Sequence, residues 1–155
     1  MPSAVHYHFS QRFSVSAIKA FDWCTDYDPF DHLLMGEEKA ERKINRLSKS
    51  TVILKDIFQT KEGRIEKQKL VQVYPDQLFW TATHLTGPVK YSQFLYKITP
   101  EGEEASRLDF TGLYLDYQNE NLSETEGERI GEQLCKDDAE AWKMLAKAMA
   151  KELNK

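Results

Sequence analysis

The sequence predicts an α+β fold: seven antiparallel strands forming one curved sheet around a long C-terminal helix, with two short helices after the first strand. Three observations carry this prediction. Polar and apolar residues alternate with period two at the start of the chain, a series of strand-like runs separated by short turn-rich breaks follows, and after about Glu124 the apolar spacing changes to three and four residues. With 155 residues the chain has the length of one domain, 1–155, that can bury a core without disulfide staples.

Val5, Tyr7, Phe9, Gln11 and Phe13 alternate with His6, His8, Ser10 and Arg12, which turns one face of the first strand inward and the other to water. Ser14 or Ser16 then caps a short helix through Trp23. Thr25 or Asp26 caps another, with Pro29 in its first turn, Phe30, Leu33, Leu34 and Met35 on its apolar side and Gly36 at its end. After the charged linker Glu37 to Glu41, strands are predicted near Glu41–Lys49, Thr51–Thr60, Arg64–Tyr74, Leu78–Leu85, Val89–Thr99 and Ser106–Asp116. The breaks at Lys61-Glu62-Gly63, Pro75-Asp76-Gln77, Thr86-Gly87-Pro88 and Pro100 to Glu104 are too short for parallel crossovers, so neighbouring strands run antiparallel. In the last segment Ile130, Leu134, Ala141, Trp142, Leu145, Met149 and Leu153 mark one amphipathic helix, a rod of about 45 Å. Gly127 and Gly131 weaken its first turns, so its ordered start could come later.

These dimensions do not match. Seven strands about 4.8 Å apart span roughly 29 Å, whereas a helix with its side chains is only about 10–12 Å across. One helix cannot cover a flat sheet of that width, so the sheet is expected to curl around it and enclose a space lined by inward-pointing side chains.

Composition excludes several functions. A net charge of −4, with basic residues interleaved among acids, gives no positive stripe for a phosphate backbone, so nucleic acid is not an expected partner. No segment is apolar enough to span a bilayer and the first residues lack a secretory pattern, which makes a cytoplasmic address the expectation. Cys24 and Cys135 are far apart, without zinc or redox spacing, and are read as reduced thiols; the Asn121-Leu122-Ser123 glycosylation pattern is set aside for want of secretion. His6 and His8 share the polar phase with no third ligand, and the acid-rich run Asp26 to His32 lacks the glycine and distal glutamate of a calcium loop. No metal and no cofactor are therefore predicted.

The order strand, two short helices, meander and long C-terminal helix resembles the helix-grip fold of the START/SRPBCC superfamily, which includes birch-pollen-allergen-like and polyketide cyclase-like proteins. The resemblance extends from Val5-His6-Tyr7-His8-Phe9 through Trp23-Cys24-Thr25-Asp26-Tyr27 to Ala141-Trp142-Lys143-Met144-Leu145. It rests on element order and not on a signature motif. It implies binding of a small hydrophobic or amphipathic molecule between sheet and helix. It also implies two other roles, a cyclase, dehydratase or hydrolase using the same cavity, or an interaction module like the heat-shock ATPase activator homologues.

Candidate ligand-binding residues follow from strand phase. Leu78, Trp80, Ala82 and His84 share one face and Phe79, Thr81 and Thr83 the other; either could be inward, and the first is chosen because the Trp80 indole offers a large apolar wall with one donor. Phe94, Tyr96 and Ile98 share a face of the next strand, and Leu108, Phe110, Gly112 and Tyr114 one of the last. Either cavity lining or closed core accommodates these aromatics, with the tyrosine hydroxyls needing partners. From the helix, Trp142, Leu145 and Met149 complete the set with Asp138, which interrupts the apolar stripe. Asp138 either lies at the wet edge of a slightly rotated stripe or reaches the cavity to meet a ligand group, His84 or a tyrosine hydroxyl. No nucleophile triad and no phosphate loop can be assembled, and no catalytic residue is predicted; His84 alone could serve acid–base chemistry, if a carboxylate oriented it.

Overall fold

The computed structural model describes residues 2–27, 40–87 and 89–154. In chain order the elements are β1 (Ser3–Phe13), α1 (Ala17–Thr25), β2 (Ala40–Arg46), β3 (Thr51–Thr60), β4 (Gly63–Tyr74), a 3-10 turn (Pro75–Gln77), β5 (Phe79–His84), β6 (Gln93–Pro100), β7 (Ser106–Asp116) and α2 (Glu124–Leu153). The second short helix expected around Pro29 to Gly36, and most of the linker after it, lie outside the described residues.

The seven strands join one curved antiparallel sheet of order β1-β7-β6-β5-β4-β3-β2, with α2 against its concave face. Strands β2 to β7 form the meander that short turns dictate. β1 pairs with β7 along its full length, from Ser3 opposite Asp116 to Phe13 opposite Ser106. The inward phase is the expected one: Val5, Tyr7 and Phe13 of β1 and Trp80, Ala82 and His84 of β5 are buried.

Several boundaries shift from the sequence expectation, and three of the shifts have a clear local reason. β2 stops at Arg46, short of Lys49, because the Leu47 and Ser48 N–H groups both turn back to the Thr51 carbonyl. β5 begins at Phe79 because Leu78 takes a left-handed conformation, φ +51°, and closes the 3-10 turn through its N–H to the Pro75 carbonyl. β6 begins at Gln93, not Val89, because Lys90 donates to the Gly87 carbonyl and Ser92 to that of Val89 in a turn with Tyr91 at φ +68°.

The helix α2 runs over 30 residues from Glu124, the span its periodicity marks, and the two glycines do not delay its start. Ser123 caps it, its hydroxyl accepting from the Glu126 N–H at 3.2 Å while the Glu126 carboxylate accepts from the Ser123 N–H, a complete capping box. Gly131 has a packing role that outweighs its low propensity. A Cβ there would lie 3.2 Å from Val5 Cγ1 and 3.4 Å from the His6 carbonyl oxygen, so its absence lets α2 approach β1 closely. At the other end, α1 is fastened by Trp23 Nε1 donating to Glu152 of α2 at 2.9 Å and by Ser106 Oγ donating to the Val15 carbonyl at 2.9 Å.

Candidate functional site

Strands β2 to β6 curve away from the C-terminal half of α2, and α1 spans the gap from one side. The space between them is a cavity of about 140 Å³. Trp80 of β5, Tyr96 of β6 and Trp142 of α2 form its main wall. The Trp80 and Tyr96 rings stack at 4.8 Å with 2° between their planes, and Trp142 leans on Tyr96 at 5.8 Å. Trp23, Cys24 and Tyr27, from the end of α1 and just beyond it, form a second wall; Leu54, Val71, Ala82 and Leu145 give an apolar floor. Burial pushes the Tyr96 phenol above its ordinary range, and the nearby Asp138 charge pushes the same way.

At one end the lining becomes charged, because Arg42 and Lys69 also face the cavity. Sheet register brings them together. Arg42 of β2 lies directly opposite Asp56 of β3, and Lys69 of β4 lies two residues from the Lys67 that pairs with Asp56 on the other side. Asp56 is fully buried and accepts from Arg42 Nε at 2.8 Å and Nη2 at 3.2 Å, with Lys69 Nζ 3.5 Å from its Oδ2. A forked guanidinium–carboxylate pair is the geometry that makes a buried charge tolerable. Burial lowers the affinity of Lys69 for its proton; Asp56 opposes this, and Arg42 and Lys67 reinforce it.

Beyond the cavity the interior holds a second polar pair. The Tyr7 hydroxyl donates to Asp138 Oδ2 at 2.5 Å, so Asp138 does meet a tyrosine hydroxyl, that of β1. Burial raises the Asp138 carboxyl above the usual range, with the Tyr7 hydrogen bond pulling it back, and burial followed by the Asp138 interaction drives the Tyr7 phenol strongly up. His84 is buried with Nδ1 lacking a hydrogen bond among the described residues, and its ring meets Phe94 edge-on at 5.2 Å. Burial, then the charges of Lys69 and Lys67, push it down to about 4.

Comparison with known proteins shows which fold builds this cavity. No family model and no curated protein matches the chain. Among solved structures, the Zhui aromatase/cyclase from Streptomyces sp. R1128 superposes with a TM-score of 0.71 at 12% identity, covering 97% of this chain and 93% of its own. Ara h 8.0201 gives 0.70 at 9% identity over 96% and 99%. Norcoclaurine synthase from Thalictrum flavum, in complex with dopamine and hydroxybenzaldehyde, gives 0.68 at 17% over 98% and 87%. This chain has the helix-grip fold.

Within that helix grip, the residues picked from strand phase and helix spacing separate into two groups. Trp80, Tyr96, Trp142 and Leu145 line the cavity. The other six do not. Phe110 and Met149 are packed solid in the interior. Phe94 stacks on Phe110 at 5.8 Å, and Tyr114 sits half-buried opposite Val5. His84 and Asp138 occupy the positions described above, and no hydrogen bond joins Asp138, His84 and Tyr114 to one another among the described residues. Strand phase alone missed Trp23, Tyr27, Arg42 and Lys69. A signal for the charged end was available: Asp56 shares the inward phase with Val52 and Leu54, and a carboxylate there needs a cation opposite. The helix grip also has depressions on its outside. One of about 400 Å³ lies on the convex face among Gln72, Tyr74, Phe79 and Leu95, away from every buried polar group described here. No helix among the described residues is long and apolar enough to cross a membrane.

Proposed function

We propose that this protein is a carrier or sensor that encloses a small hydrophobic or amphipathic molecule between the sheet and α2. The observation that carries the reading is the internal cavity walled by Trp80, Tyr96, Trp142 and Trp23. Flat aromatic walls with a few polar groups at one end are how a small-molecule site gains both contact area and orientation. A volume of about 140 Å³ is close to that of an engineered apolar cavity that takes up benzene, so the described walls suit a single ring. Norcoclaurine synthase, of the same fold, has been solved holding two molecules named in its complex, dopamine and hydroxybenzaldehyde, which is consistent with a ligand of this class. A cytoplasmic address and a single ligand-binding domain belong to the same reading.

The test uses the tryptophans in the wall. Benzyl alcohol titrated into the protein should quench intrinsic fluorescence saturably and shift the indole N–H resonances of Trp80 and Trp142. Ala82→Leu, which fills the floor, should abolish both responses while retaining the wild-type far-UV spectrum. A linear, non-saturating response, or one that survives Ala82→Leu unchanged, rejects the cavity as the site.

A further inference from the structure

We propose that the cavity selects a singly charged aromatic anion, an aromatic carboxylate whose ring lies along Trp80 and Tyr96 and whose carboxylate sits between Arg42 and Lys69; this rests on the binding function proposed above.

The first ground is a charge count. Two cations face the cavity, and the carboxylate that pairs with both, Asp56, is fully buried behind them and is not part of the lining. Two positive charges against one negative leave a surplus of one at this end among the described residues. The other cation on this side, Lys67, is directed over the Phe58 ring at 5.3 Å. The interior carboxylate beyond the cavity, Asp138, is taken up by Tyr7 and is not part of the lining.

The second ground is unused hydrogen-bonding capacity. Arg42 spends Nε and Nη2 on Asp56, and its guanidinium lies over the Tyr27 ring at 5.6 Å, which leaves Nη1 without a hydrogen-bond acceptor among the described residues. Lys69 reaches Asp56 only at 3.5 Å, and its side chain is 26% exposed. Two convergent donors, both charged and both pointing into a site largely shielded from water, favour an anion over a neutral polar group. Burial lowers the proton affinity of Lys69, Asp56 opposes this and Arg42 and Lys67 reinforce it, so an anion placed beside Nζ would favour its charged form.

The third ground is shape. The charged end and the aromatic wall belong to one cavity of about 140 Å³, so a ligand filling it presents a ring to one and a charge to the other, with little room for a long aliphatic tail.

The experiment compares four probes of similar size on the intact protein at neutral pH: benzoate, benzyl alcohol, benzamide and benzylamine, followed by calorimetry and by the Trp80 and Trp142 indole resonances. Benzoate is expected to bind at least tenfold more tightly than benzyl alcohol or benzamide, and benzylamine, which is cationic, more weakly than either. Lys69→Met is expected to bring the benzoate to benzyl alcohol affinity ratio close to one. If that variant does not fold, the wild-type ratio alone decides. Binding of benzyl alcohol equal to or tighter than benzoate overturns the anion preference and leaves the cavity function standing. No indole shift with any probe overturns both.

Discussion

Gly112→Ala probes how tightly β7, β1 and α2 are locked around the interior polar pair. Gly112 lies opposite Tyr7 in the β1–β7 register, and a Cβ at that position would fall 2.5 Å from Tyr7 Cε1 and 2.7 Å from Cζ, where ordinary contact begins at 3.4 Å. The ring must therefore move by roughly 1 Å, and it has little freedom to do so: Tyr7 is 8% exposed, packs on Phe110 at 5.5 Å and is held by Asp138. Overpacking of this kind costs about 1–3 kcal/mol. A 1 Å shift also stretches the 2.5 Å hydrogen bond to the edge of hydrogen-bonding distance, and a bond to a carboxylate is worth about 1.5–3 kcal/mol. The substitution is expected to cost about 3–5 kcal/mol in urea unfolding. A double-mutant cycle with Tyr7→Phe separates the two parts, since the phenylalanine ring still clashes but has no hydroxyl to displace. In the Tyr7→Phe background Gly112→Ala should cost only the overpacking part. A loss below about 1 kcal/mol, or an equal loss in both backgrounds, refutes the coupling between Gly112, Tyr7 and Asp138.

Other perturbations test the remaining contacts. Asp56→Ala leaves Arg42 and Lys69 without their shared carboxylate and should destabilise the fold by about 3–5 kcal/mol, whereas replacing all three by apolar residues, Arg42→Met and Lys69→Met with Asp56→Leu, should recover most of that loss in thermal unfolding. His84 titrates near 4 in the fold against an ordinary value of 6.5, so its contribution to stability is complete above about pH 6.5 and is lost as pH falls toward 4. His84→Leu should therefore flatten that acid limb by on the order of 3 kcal/mol, and an unchanged pH profile of urea midpoints rejects it. The Asp138 carboxyl is raised, the opposite case. Its folded form favours the proton, so removing the Tyr7 donor by Tyr7→Phe should destabilise the protein more at pH 7 than at pH 4, read from the same midpoints. Ser123→Ala breaks the capping box of α2 and should cost about 1 kcal/mol, with loss of amide protection confined to the first turns.

The fold could be read from the chain because its rules are local. Alternation in β1, the glycine and proline breaks of the meander and the change of period after Glu124 each reflect geometry within a few residues. The errors were local too: Leu78 and Tyr91 adopt left-handed backbone that their residue types do not announce, and so shorten β5 and β6. Gly131 read as a weakness because its effect on helix propensity is visible in sequence, while the Val5 side chain and the His6 carbonyl it must clear are more than a hundred positions away in the chain.

By itself the sequence determined which residues share a face, since side-chain direction follows from backbone period; the faces carrying Trp80, Tyr96, Phe110, Trp142 and Met149 are the inward ones in the fold. Only tertiary structure decided which of them border empty space. Phe110 and Met149 are packed solid while Trp80 and Trp142 line a cavity, a difference that depends on what the rest of the chain packs against each of them. Tertiary structure likewise brought Arg42, Asp56 and Lys69 from three strands to one end of that cavity, because a cation is stable in the interior only where register places its counter-charge beside it.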